Sequence, residues 1–211
     1  SVAETDPVCK ALVDLNFALL ADSIHGEVRC GGYERKAFSD DSSLLKDIKV
    51  FYTGYSPSLD SIVYWFLKKS INLYGEALVK TFAREKQGFG STDSGVAIVQ
   101  RFWKEKGLDP DELNISDGSG LSPQNRVTTH AQVEALKYAK SRSWYPYFYD
   151  ALPEYNGMKM KSGTIRDVKA FCGYQKSEDG NDYIFSFIVN NYSGKSSMLV
   201  GKMYKVLNEL K

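Results

Sequence analysis

Apolar residues recur at a mostly helical spacing up to about Leu152 and alternate with polar ones beyond it. Asp6-Pro7 supplies a cap and a proline at the first helical position. Val8, Leu12, Leu15 and Leu19 then share one face until Gly26, which predicts an amphipathic helix. Residues 27–33 and 48–52 read as short strands on either side of the polar stretch Ser39-Asp40-Asp41-Ser42-Ser43. After Ser56-Pro57 the helical period returns over 59 to about 69 and over about 73 to 85. Ser70-Ile71-Asn72 therefore falls at a junction between helices. Gly90 to Ser94 predicts a loop and cap before a helix over 95–106, which Gly107 and Pro110 stop. A further helix is expected over 129–142, then an aromatic-rich turn or short helix over 144–152, bounded by Pro146 and Pro153.

The end of the chain differs in kind. Residues 158–164, 168–175 and 183–190 alternate as strands, the last two joined by the turn Glu178-Asp179-Gly180-Asn181, and 194–211 closes as a helix. There is no internal repeat. The pattern predicts an α+β fold in which an antiparallel sheet packs with helices.

Composition narrows the function classes. With 211 residues, 43% of them apolar and 25% charged, the chain is long enough for one core-bearing domain. Lys and Arg number 27 against 26 Asp and Glu, and no basic run is dense enough to indicate nucleic acid. The apolar runs at 62–67 and 184–189 are too short to cross a bilayer. Ser1-Val2-Ala3-Glu4 lacks the basic and apolar regions of an export signal, which suggests a mature product, an excised segment or a cytosolic chain. Cys9, Cys30 and Cys172 show no CxxC spacing and read as small buried hydrophobes. His25 and His130 are too few for a histidine-built metal centre and read as structural.

Three short motifs carry the candidate chemistry. Lys68-Lys69-Ser70-Ile71-Asn72 leads into Leu73-Tyr74-Gly75-Glu76. Asp117-Gly118-Ser119-Gly120-Leu121-Ser122 continues to Asn125-Arg126-Val127-Thr128. Lys161-Ser162-Gly163-Thr164 precedes Val168, Ala170, Gly173 and Tyr174. In this order they resemble the SxN motif, a glycine-rich loop and the KTG strand of the class C low-molecular-mass penicillin-binding proteins, the D-alanyl-D-alanine carboxypeptidase and endopeptidase family. Each tripeptide alone arises by chance; three in family order, over almost the whole chain, do not.

The resemblance implies the penicillin-binding and β-lactamase-like transpeptidase fold, with residues 1–211 as the C-terminal portion of a DD-peptidase domain. It implies an extracytoplasmic or periplasmic serine peptidase that acts on peptidoglycan stem peptides through an acyl-enzyme, binds β-lactams when intact, and needs no metal or cofactor. The residues suit those tasks. Ser70 has a hydroxyl able to relay a proton to a leaving amine, and the Asn72 amide both donates and accepts. Lys161 supplies positive charge, and Ser162 and Thr164 supply hydroxyls for a substrate carboxylate. The Thr164 N–H is the implied oxyanion donor, and Gly163 allows close approach of an acyl group. Asp117, Gly118, Ser119 and Gly120 have turn chemistry and are assigned to shaping the cleft. Ser70, Asn72 and Lys161 are expected to meet at one cleft.

One element is missing from the pattern. Only Ser43-Leu44-Leu45-Lys46 has the SxxK spacing of a nucleophile and its base; it lies in a polar stretch and reads as accidental. The chain is therefore expected to be inactive alone and to pair with an N-terminal segment of the same protein, or with itself, along the apolar edge of strand 183–190. The alternative is a non-catalytic relative that binds peptidoglycan without cleaving it.

Overall fold

A computed structural model describes residues 55–211, which form one compact unit. The helix expected over 6–26, the strands over 27–33 and 48–52, Cys9, Cys30, His25 and the Ser43–Lys46 spacing lie outside the described residues.

Helix α1 spans Leu59–Lys69 and α2 spans Asn72–Gln87, so the junction falls where the apolar period breaks. Helix α3 runs over Thr92–Glu105 and begins three residues ahead of the expected start. The reason is that Ser91, not Ser94, is its cap: the Ser91 hydroxyl accepts from the Ser94 N–H at 3.1 Å. A 3₁₀ turn over Pro110–Glu112 follows, then two-residue strands β1 (Leu113–Asn114) and β2 (Arg126–Val127), paired antiparallel. Helix α4 covers Thr129–Lys140, capped by the Thr128 hydroxyl on the Ala131 N–H, and α5 covers Tyr145–Ala151.

The main sheet is antiparallel, in the order β3 (Glu154–Tyr155), β4 (Met158–Ile165), β5 (Val168–Lys176) and β6 (Asp182–Asn190). Helix α6, Ser196–Leu207, ends the chain with one 3₁₀ turn, Asn208–Leu210. Strands β1, β2 and β3 have no counterpart in the expected elements, because two residues are too few to show alternation.

Alternation sorts the sheet into two faces. Met158, Met160, Phe171 and Phe185 turn to α6 and pack with Met203 and Leu207. Tyr174 turns the other way, to Leu136 of α4 and Leu152 after α5, with Leu67, Phe148, Cys172 and Ile184 around them. The Tyr174 hydroxyl, buried there, donates to the Leu136 carbonyl at 2.7 Å. Among the described residues β6 is an edge strand, and no helix is long and apolar enough to cross a membrane.

Met160 has no exposed surface and joins β4 to the α6 layer. Met160→Ala is expected to cost about 2–5 kcal/mol in urea unfolding of the chain, the range for a fully buried large-to-small change. A loss under about 1 kcal/mol would contradict the sheet–helix packing.

Candidate active site

Ser70 closes α1 in the left-handed conformation, φ 54° and ψ 50°. That conformation costs a non-glycine residue about 1–2 kcal/mol. It reverses the chain within two residues, with the Ser70 and Ile71 N–H groups both returning to the Phe66 carbonyl, so that α2 starts at Asn72.

Lys161 lies on the face of β4 opposite the α6 core, directly across from Cys172 on β5. Its ammonium donates to the Ser70 hydroxyl at 2.8 Å and to the Ser162 carbonyl at 3.0 Å. The expected meeting of Ser70 with Lys161, 91 positions apart, is thus a direct contact. Burial lowers the Lys161 pKa below the ordinary lysine value, and the nearby Lys169 cation pushes the same way, against the opposing influence of Cys172. Burial also pushes the Cys172 thiol up to about 11, which suits an inert small hydrophobe.

The remaining residues of the strand divide by face and edge. The Met160 N–H donates to the Pro153 carbonyl at 3.0 Å, on the side away from β5. By the same period the N–H groups of Ser162 and Thr164 are directed to that edge, which beyond Met160 is unpaired among the described residues. The Ser162 side chain stands on the Met160 face, opposite Phe171, and the Thr164 hydroxyl accepts from Lys169 at 2.7 Å. Gly163 shares the Lys161 face. A Cβ there would meet only the Ala170 methyl, at 3.8 Å, so the fold itself does not require glycine. Asn72 is half-buried at the first position of α2, and its amide has no hydrogen-bond partner among the described residues.

The glycine-rich loop is fixed from within and from α2. Asp117 accepts from the N–H groups of Gly120 at 2.5 Å and Ser122 at 2.9 Å, from the Ser119 hydroxyl at 3.1 Å, and from the Asn125 amide at 3.3 Å. Burial alone would raise its pKa, but these donors together hold the carboxyl below its usual value. The loop backbone also rests on the helix: a Cβ on Gly75 would lie 2.1 Å from the Gly118 carbonyl oxygen, and one on Gly118 would lie 2.2 Å from that of Gly75. Glu76 completes the contact by accepting from the Gly118 N–H at 3.0 Å and from the Thr92 hydroxyl. The Thr92 hydroxyl and then the Gly118 N–H hold the Glu76 carboxyl below its usual pKa. Between this loop and the ends of β4, β5 and β6 lies a cavity of about 980 Å³, walled by Asp117, Gly118 and Gly120 on one side and by Gly163, Thr164 and Ala170 on the other. Ser70, Asn72 and Lys161 do not line it.

Two positioning residues escaped sequence reasoning. Glu76 was visible only as part of a motif. Lys68 donates to the carbonyls of Asp150 at 3.4 Å and Leu152 at 3.5 Å, tying the last turn of α1 to the end of α5. Pro153, the next residue, accepts from Met160, the neighbour of Lys161. Ser70 and Lys161 are therefore each within two residues of a bond to the 152–153 segment. No local signal marks Lys68, because the carbonyls it meets lie 82 and 84 positions further along the chain.

A titration tests the environment of Lys161. In isotope-labelled lysine spectra its ammonium should lose its proton at a pH below the ordinary lysine value of 10.5. Ser70→Ala should alter its signal. A Lys161 resonance that titrates at or above 10.5 and ignores Ser70→Ala would contradict the geometry.

Comparison with known proteins identifies the family and the fold. The D-Ala-D-Ala carboxypeptidase 3 (S13) family profile matches residues 41–154. A D-alanyl-D-alanine carboxypeptidase from an Actinomadura species is 31% identical over 199 residues, 84% of this chain and 35% of the relative, so the chain spans about a third of that protein's length. Penicillin binding protein 4 (dacB) of Haemophilus influenzae, solved in complex with a β-lactam, superposes with a TM-score of 0.65 at 20% identity, over 71% of this chain and 41% of that one. A class A β-lactamase from Bacteroides cellulosilyticus superposes with a TM-score of 0.56 at 14% identity, over 84% and 70%. The structural likenesses establish the expected transpeptidase fold, and the profile match establishes that this chain belongs to the D-Ala-D-Ala carboxypeptidase 3 (S13) family.

Proposed function

We propose that this chain carries the substrate-holding and proton-handling part of a serine DD-peptidase that cleaves peptidoglycan stem peptides outside the cytoplasm. The observation that carries the proposal is the 2.8 Å contact between Lys161 and Ser70. A half-buried lysine that donates to a serine hydroxyl polarises it and lets it pass a proton on without a histidine. In the reaction Ser70 would relay to the leaving amine the proton given up by the acyl-forming serine, receiving one as it passes one on, while Lys161 holds the local charge. The Asn72 amide, unpaired among the described residues, would grip the substrate amide. The free-edge N–H of Thr164 would face the acyl oxygen, with Gly163 leaving room for the acyl group. The cationic side chain of Lys161 would meet the terminal carboxylate, whereas the Ser162 and Thr164 hydroxyls, expected from the sequence to share that role, belong to the opposite face of β4 and would not reach it from there. The loop of Asp117, Gly118, Ser119 and Gly120 would bound the cleft.

The acyl-forming serine would come from elsewhere in the gene product, on an N-terminal segment that also covers the β6 edge. Among the described residues the outer edge of β6 carries unpaired ladder positions, which suit a further strand. A non-catalytic peptidoglycan-binding relative would share the Lys161–Ser70 contact but release no D-alanine.

A fluorescent penicillin separates these outcomes. The 211-residue chain alone should form no stable adduct. Supplying the N-terminal segment should raise its Tm and bring covalent labelling and D-alanine release from a stem-peptide substrate together. Labelling of the chain by itself that disappears in Ser43→Ala would place the nucleophile at Ser43 and overturn the proposal. Restored stability without labelling or D-alanine release would point to the non-catalytic relative.

A further inference from the structure

We propose a second binding site: the groove between α3, the Pro110–Glu112 turn and the β1/β2 ladder takes the oxyanions, phosphate or carboxylate, of a polyanionic polymer. This groove encloses about 700 Å³ and is lined by Gln100, Arg101, Lys104, Asp111, Asn114 and Arg126, with Pro110 at its rim. Arg101 and Lys104 are three apart on α3 and so share a face of the helix. Arg126 on β2 lies directly across the ladder from Asn114. Three cations therefore meet one carboxylate, Asp111, in a single concavity of a chain whose charges otherwise balance at 27 to 26.

Two nearby carboxylates, Glu112 and Asp109, are engaged elsewhere. Glu112 accepts from the Thr128 hydroxyl at 3.0 Å and contacts the His130 ring at 2.9 Å. Asp109 caps its own turn by accepting from the Asp111 N–H at 2.9 Å. Among the described residues Arg101, Lys104 and Arg126 form no ion pair. A cleft lined by one sign of charge concentrates the field and draws the opposite charge. Two guanidinium forks flanking an ammonium match the paired oxygens of phosphate or carboxylate groups.

The frame that carries these side chains is held in place. The Gln100 amide donates to the carbonyls of Leu113 at 3.4 Å and Ile115 at 3.5 Å, clamping α3 against β1, so part of the ordering cost of binding is met before the ligand arrives. An extended ligand fits better than an enclosed small ion, on two grounds. The cationic side chains are exposed. Arg126 also walls the neighbouring 980 Å³ cavity beside Gly163 and Thr164, so the two concavities adjoin at that residue. A polymer held here would pass toward that cavity. The site itself does not rest on the proposed function.

The test uses the 211-residue chain with fluorescein-labelled inorganic polyphosphate and, separately, labelled poly-L-glutamate, followed by anisotropy at low and high salt. At least one probe should bind saturably and weaken as salt rises. The double variant Arg101→Glu/Lys104→Glu, and Arg126→Glu alone, should each weaken binding by about tenfold or more. A control on α6, Lys202→Glu/Lys205→Glu, should change it by less than about twofold despite the same change in net charge. Polyphosphate binding alone assigns the ligand group as phosphate, poly-L-glutamate binding alone as carboxylate, and equal binding of both as an oxyanion site without preference. Circular dichroism identifies any variant that fails to fold, in which case the other one decides. Binding of neither probe, or equal losses in groove and control variants, would overturn the proposal. Failure of penicillin labelling would leave this result untouched.

Discussion

The candidate site depends on one side-chain contact, Lys161 to Ser70, and on what brings its partners within 2.8 Å. Neither residue could hold the geometry alone. Ser70 sits on a helix end that needs a left-handed turn, and Lys161 sits on a strand whose outer edge is largely free. The segment Leu152-Pro153 joins them. It receives Lys68 from the α1 side through the Leu152 carbonyl and Met160 from the β4 side through the Pro153 carbonyl. Leu152 is itself almost fully buried, so the segment is anchored by apolar packing and its free carbonyls serve as fixed acceptors. The closed circuit converts core packing into placement of two polar groups, which is what a proton-handling pair requires.

A second attachment holds the far wall. The Gly75 and Gly118 backbones touch, and Glu76 reaches from the helix that Asn72 begins to the N–H of Gly118. The helix that presents Asn72 thus also carries the loop that faces Gly163 and Thr164 across the cavity. Its carboxyl is held ionised by its donors, and a depressed pKa means that this contribution is present above the ordinary value of 4.5 and is lost as pH falls through the folded-state value. Asp117 behaves in the same sense within the loop.

Much of this was legible from the chain. The junction at Ser70 and the strands at 158, 168 and 183 are written in the apolar period, because helices and strands of eight residues or more repeat often enough to be seen, whereas the three motifs were legible only through their resemblance to a known family. The start of α3 was misplaced because Ser91 and Ser94 are both plausible caps, and only the hydrogen bond to the Ser94 N–H chooses between them. Strands β1, β2 and β3 were illegible, since each exists only through its partner. Which face Ser162 takes follows from register with Phe171, a long-range fact. The roles of Lys68 and Glu76 were hidden for the same reason: a lysine in a last turn and a glutamate one turn into a helix are ordinary until their partners across the fold are known. The groove at Arg101, Lys104 and Arg126 was also beyond sequence, because its third cation comes from another element.

The most direct test of the central contact is a double-mutant cycle of Ser70→Ala and Lys161→Ala, read as the second-order rate of acylation by a fluorescent penicillin in the protein completed with its N-terminal segment. If the two side chains act as one unit, the second substitution should add little to the first. The coupling should then exceed about 1 kcal/mol, as for residues in one hydrogen-bonded network. Effects that add to within about 0.3 kcal/mol would show that Ser70 and Lys161 act independently, and would contradict the account.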